Sequence, residues 1–130
     1  MNNELGGRKI HSFTDLDAWR EGHILVLAIY EITKIFPKEE IFGIVSQMRR
    51  SAVSITSNIA EGFSRLSYRE KSHFYAISQG SVTELQNQLI IAKDVGFIDG
   101  DKFQSLSNQA VKVHKIINGL IKKSKFIHNS

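Results

Sequence analysis

Apolar residues recur every three or four positions along most of this chain, the spacing that gathers them on one face of an α-helix. The clearest run is Val45, Met48, Ala52, Ile55, Ile59 and Gly62. A second stripe in the same stretch, Gln47, Ser51, Ser54, Asn58, Glu61 and Arg65, keeps that rhythm about a third of a turn away. It is built mainly from side chains small enough to allow close approach, so this helix should be gripped from more than one side. The charged Glu61 and Arg65 at its end need water or a partner, because an unpaired buried charge is costly.

The pattern predicts four helices. The first runs from about Asp15 to Phe36, with Thr14 as N-cap and Asp15 and Asp17 suited to the positive end of the helix dipole. Its core stripe reads Leu16, Trp19, His23, Val26 and Tyr30, while Leu25, Leu27, Ile29 and Ile32 widen the apolar surface beyond what one bundle core needs. Pro37 ends it and fits the start of the second helix, which reaches about Ser64. Ser67 and Glu70 read as a capping box for a third helix to about Val95, with stripe Phe74, Ile77, Ser81, Leu85, Gln88, Ala92 and Val95. Gly80 in its middle costs about 1 kcal/mol relative to Ala, which a close helix approach would explain. Gly96 and Asp99 read as the stop and start signals before a fourth helix. Its stripe is Phe103, Leu106, Ala110, Val113, Ile117 and Leu120.

No strand pattern is visible. These elements with short connections predict an all-α antiparallel up-down-up-down four-helix bundle over residues 13–125. Residues 1–12 lack periodicity and read as a disordered arm, and residues 126–130 as a frayed end.

A length of 130 residues suits one domain, and 42% hydrophobic with 23% charged residues is ordinary for a soluble globular protein. There is no cysteine, so disulfides and thiolate metal sites are excluded. The most apolar run, Ile24 to Tyr30, is about a third of the length needed to span a bilayer. Asp15, Asp17 and Glu21 precede it where a signal peptide would carry positive charge, so a cytoplasmic protein without membrane association is expected.

Net charge is +4, and its distribution says more. The first 48 residues lean acidic, whereas no acidic residue follows Asp101 and six lysines do. A basic C-terminal third attracts a polyanion, RNA foremost; the other reading is a lysine face kept for solubility. Lys112, Lys115, Lys122 and Lys123 fall almost opposite the apolar stripe of the fourth helix. Arg65, Arg69 and Lys71 cluster at the exposed turn between helices two and three. Arg49 and Arg50 allow two uses: a guanidinium clamp on phosphates, or a structural contact with Glu61, Glu84 or a neighbouring subunit.

Little suggests catalysis. Glu70-x-x-His73 is half of a di-metal motif, but no second copy exists, so Glu70 reads as a cap and His73 as a rim histidine. His23 reads as a hydrogen-bonded core histidine. No phosphate-binding glycine loop, nucleophile elbow or zinc spacing is present. The expectation is a protein with no enzymatic activity, no metal and no cofactor.

The string from Gln47 to Phe63 resembles the signature of small four-helix bundle proteins often encoded by intervening sequences inside bacterial large-subunit ribosomal RNA genes. That family usually reads Ser-Ile-Pro-x-Asn-Ile-Ala-Glu-Gly after a Gln and an Arg pair. Ser54, Ile55, Asn58, Ile59, Ala60, Glu61 and Gly62 match, as do Gln47, Arg49 and Arg50. Leu16-Asp17-Ala18-Trp19, Phe36 to Glu40 and Gly80 to Leu85 extend the likeness over nearly the whole chain. Thr56 stands where the family commonly has Pro, and it keeps the backbone N–H that Pro would remove. The resemblance implies a homo-oligomeric ring, commonly a pentamer. The function expected from the basic surface is contact with structured RNA; the alternative, as in a related group of pentameric bundles that serve a retroelement reverse transcriptase, is a protein-adaptor role.

Overall fold

Four helices, α1 (Asp17–Thr33), α2 (Ile44–Ser64), α3 (Tyr68–Asp94) and α4 (Gly100–Asn129), carry the chain in the computed structural model. The structure describes residues 4, 5 and 8–129, and the side chains of residues 9–127. Ahead of α1 lie two two-residue strands, β1 (Glu4–Leu5) and β2 (Arg8–Lys9), paired antiparallel with Glu4 opposite Lys9.

Part of the segment read as a disordered arm, residues 1–3, 6 and 7, lies outside the described residues. Residues 10–12 are tied to the body of the fold. Ile10 is only 3% exposed and joins the core. Ser12 and Asp15 form a capping box around a 3₁₀ turn at Phe13–Asp15, with the Asp15 carboxylate accepting the N–H groups of His11 and Ser12 at 2.9 and 3.1 Å. The expected Thr14 cap of α1 is not formed: Ser12 caps the 3₁₀ turn, and α1 begins at Asp17 after Leu16, which makes no side-chain capping bond. At the other end α4 is helical to Asn129, through residues 126–129 of the segment read as frayed; residue 130 lies outside the described residues.

Helix α2 starts later than Pro37. Gly43 adopts a non-helical backbone, and the Glu40 carboxylate accepts the Ile44 N–H at 3.5 Å, so a 3₁₀ turn at Lys38–Glu40 replaces the expected first turn. The stop and start signals around α3 and α4 fall where expected, but of the capping box read at Ser67 and Glu70 only the Ser67 half is formed. Ser67 Oγ accepts the Glu70 N–H at 3.1 Å, and Asp99 Oδ1 accepts the Lys102 N–H at 2.8 Å. Gly96 takes φ 87°, letting Gly96 N–H reach the Lys93 carbonyl and Phe97 N–H the Ala92 carbonyl. That pairing satisfies carbonyls the helix end would otherwise leave bare.

The α2 stripe from Val45 to Gly62 is wholly buried, as its period requires. The α1 stripe is rotated from the one expected: Ala18, Gly22, Leu25, Val26, Ile29 and Ile32 face the core, while Tyr30 is exposed and Trp19 and His23 sit at the edge. Gly22 decides this rotation, because a Cβ there would stand 3.1 Å from Thr56 Cγ2. His23 is half-buried and stacks on Trp19, with ring centres 4.7 Å apart.

Side-chain contacts give the register. Along α1 and α2, Gly22 meets Thr56 and Thr33 meets Arg49. Between α2 and α3, Gly62 meets Tyr75, the Ile55 carbonyl accepts from Ser78 Oγ at 2.7 Å, and Ser51 Oγ donates to Glu84 at 3.2 Å. Between α3 and α4, Gln79 meets Asn118 and Lys93 lies over Phe103. At each interface residue numbers rise on one helix as they fall on the other. The small polar stripe of α2 bonds both to α3 and within its own helix: Ser54 Oγ and Ser81 Oγ of α3 are 2.8 Å apart, and Asn58 Nδ2 donates to the Ser54 carbonyl one turn back at 2.8 Å. Gly80, expected at a close approach, has nothing within 4 Å of where a Cβ would be; the tight contact is at Gly62.

Candidate nucleic-acid interface

The cations singled out by sequence separate into two groups. Arg49 is committed inside the fold, its Nε donating to Thr33 Oγ1 at 2.9 Å with the guanidinium 4.7 Å from the Tyr30 ring centre. Neither Glu61 nor Glu84 is its partner. Arg65 lies over the Phe74 ring at 4.5 Å and pairs with Glu61 at 3.4 Å, while its buried Nε has no hydrogen-bond partner. Lys71 reaches back across the turn and donates to the Phe63 carbonyl at 2.5 Å. That bond covers a bare carbonyl at the negative end of α2, and burial pushes the Lys71 ammonium pKa below its usual value.

Lys112 pairs with Glu21 Oε1 at 3.1 Å, joining α4 to α1. Gln109 Nε2 donates to the same carboxylate and to the Glu21 carbonyl. The Gln109 bond and then the Lys112 bond hold the Glu21 carboxyl below its usual pKa.

Arg50, Arg69, Lys115, Lys122 and Lys123 are all exposed, and none is in an ion pair among the described residues. A cation without an intramolecular partner keeps its full charge available to a phosphate. Three of the five, Arg69, Lys122 and Lys123, share one end of the molecule. The contact order between α3 and α4 puts the C-terminal half of α4 beside the N-terminal half of α3. Lys122 and Lys123 therefore lie at the same end of the molecule as the α2–α3 turn. At that turn a pocket is lined by Arg65, Ser67, Arg69, Glu70, His73 and Phe74. Leu66, between the two arginines, is 97% exposed.

Two features escaped the sequence reading. Phe126, assigned to a frayed end, is 74% exposed on the regular helix α4. Its place three and four residues beyond Lys123 and Lys122 was the available signal. On α1, Ile24 and Leu27 are 51% and 57% exposed, on the side of the helix away from Leu25 and Ile29. The breadth of apolar residues was legible, but not which of them faced outward.

Among the described residues, no group of three or more His, Asp or Glu side chains is placed to hold a metal ion. No helix there is long and apolar enough to cross a membrane.

Comparison with known proteins agrees with the family resemblance. Residues 14–119 match the family model described as 23S rRNA-intervening sequence protein. The fold is similar to the crystal structure of a protein of unknown function from the S23 ribosomal protein family of Bacteroides thetaiotaomicron, with a TM-score of 0.76 at 20% identity, covering 81% of this chain and 98% of that one. No functionally curated protein matches the chain.

Proposed function

The chain belongs to the 23S rRNA-intervening sequence protein family, and we propose that it is a non-enzymatic cytoplasmic protein that binds structured RNA through phosphate contacts. The observation that carries this reading is the sorting of its cations. Arg49, Lys71 and Lys112 are spent on internal contacts, whereas Arg69, Lys122 and Lys123 stand exposed and unpaired at one end of the molecule. A surface kept only for solubility intersperses both signs of charge, yet α4 carries no acidic residue after Asp101.

In this reading the four helices form an antiparallel up-down-up-down bundle, supported by the opposed residue order at each helix contact. The bundles assemble as a homo-oligomeric ring, a pentamer on the family resemblance, with Ile24 and Leu27 as the subunit contact. Repeating the α4 face around a ring lets several weak phosphate contacts act together.

The test is fluorescence anisotropy of a labelled ribosomal RNA hairpin titrated with nuclease-treated protein across salt concentrations, with duplex DNA as control. Micromolar or tighter binding that falls steeply with salt supports the reading, and its log–log slope counts the phosphate contacts. No binding at low salt removes it and turns attention to the protein-adaptor role.

A further inference from the structure

One face of α4 has more than charge on it. Lys112, Lys115, Gly119, Lys122, Lys123 and Phe126 recur every one to four residues on the side opposite Ala110, Val113 and Ile117, all three fully buried. Lys115, Lys122 and Lys123 are exposed and, among the described residues, outside any ion pair. Gly119 leaves the middle of the face bare, with nothing within 4 Å of where a Cβ would be. Phe126 closes the face with an aromatic ring that is 74% exposed, flanked one turn earlier by Lys122 and Lys123.

A lone exposed apolar side chain is unremarkable. An aromatic ring bracketed by unpaired ammonium groups is a more specific arrangement, because it offers a flat apolar surface and two cations within one helical turn. A nucleobase presents a complementary π-face with phosphates on either side of it, and stacking on an aromatic side chain is tolerant of which base is present. A membrane fits poorly: one ring on an otherwise basic face supplies far too little apolar area to insert. A continuous duplex fits poorly too, since its bases are already stacked and cannot offer a face.

We infer that the outer face of α4 from Lys115 to Phe126 is a track for single-stranded RNA, with the lysines on phosphates and an unstacked base lying on Phe126. The track is roughly 16 Å long at the helical rise. Gly119 lets the strand approach the helix backbone midway. The inference rests on the RNA-binding reading above and narrows it: the favoured target is a loop or an unpaired stretch of a structured RNA, and the base contact adds to the phosphate contacts.

The experiment compares the full chain with its Phe126→Ala and Phe126→Tyr variants, using anisotropy of a labelled oligouridine dodecamer and of an RNA duplex of the same length. The wild type is expected to prefer the dodecamer. Phe126→Ala should weaken dodecamer binding about 5- to 100-fold, the effect of losing one stacked base. Its salt slope should not change, because no charge is removed. Phe126→Tyr should stay close to wild type, and duplex binding should be equal in all three. Dodecamer binding unaffected by Phe126→Ala overturns the inference, as does an equal loss on both probes. A wild type that binds the duplex but not the dodecamer overturns it while leaving RNA binding intact. A wild type that binds neither probe removes both.

Discussion

Arg49 donates from Nε to Thr33 Oγ1 at 2.9 Å across the α1–α2 interface, and its guanidinium lies 4.7 Å from the ring centre of Tyr30. Arg50, its neighbour in sequence, is exposed. A pair that reads as one phosphate clamp is thus divided by the helical turn between them: one arginine pins two helices and the other faces water. Arg49→Ala should lower unfolding free energy by about 1–2 kcal/mol, the worth of the hydrogen bond and the cation–π contact together. RNA affinity should not change. Denaturant titration and anisotropy on the same preparation separate the two effects.

Gly62 and Gly80 make an opposed pair of substitutions. A Cβ at Gly62 would stand 2.7 and 2.9 Å from two ring carbons of Tyr75, whereas nothing lies within 4 Å of one at Gly80. Gly62→Ala should destabilise by about 1–3 kcal/mol through overpacking against a buried ring. Gly80→Ala should stabilise by up to about 1 kcal/mol, the propensity difference inside a helix. Urea midpoints moving in opposite directions would bear this out.

These two glycines show what the sequence could and could not reveal. The α2 stripe was legible because six apolar positions keep one period with few competitors around the helix. So were the ends of α3 and the start of α4, where Ser67, Gly96 and Asp99 carry their own chemistry. The α1 face was not legible, because apolar residues surround that helix and any of several stripes fits the period. Only Gly22, which admits Thr56 to within 3.1 Å of its missing Cβ, picks out the true one. Close approach depends on what stands opposite, so Gly80 and Gly62 could not be ranked before both helices were in place. The candidate site was half legible: composition located the lysines, but only the fold distinguishes Lys112, held by Glu21, from Lys122 and Lys123.

Glu21 should make the α1–α4 contact sensitive to acid. Its bonds from Gln109 and Lys112 depress the carboxyl pKa below its ordinary 4.5. A depressed folded-state pKa means this stability is present above the unfolded value and is lost as pH falls through the folded one. Wild-type stability should therefore fall below pH 4.5 by a share that Glu21→Gln removes, under about 1 kcal/mol for a partly exposed pair. Thermal unfolding of both proteins at pH 7 and at progressively lower pH measures that share. Equal pH dependence would mean the contact contributes nothing.

Ile24 and Leu27 face away from the core of their own bundle. If they form the subunit contact, the double substitution Ile24→Lys, Leu27→Lys should reduce the sedimenting species to a monomer while leaving the helical circular dichroism unchanged. An unaltered sedimentation coefficient would place the contact elsewhere.

Charge reversal at two sites of α4 distinguishes a phosphate-binding surface from a merely solvated one. The double variant Lys122→Glu, Lys123→Glu is compared with Lys112→Glu by anisotropy on one RNA hairpin across salt. If unpaired cations at one end of the bundle hold RNA phosphates, the double variant should lose at least about tenfold in affinity and show a shallower salt slope, by up to about two contacts. Lys112→Glu, whose cation is held by Glu21, should cost mainly stability through a repelled carboxylate. Equal affinity for wild type and the double variant would contradict the account and leave the lysine face as ordinary solvated surface.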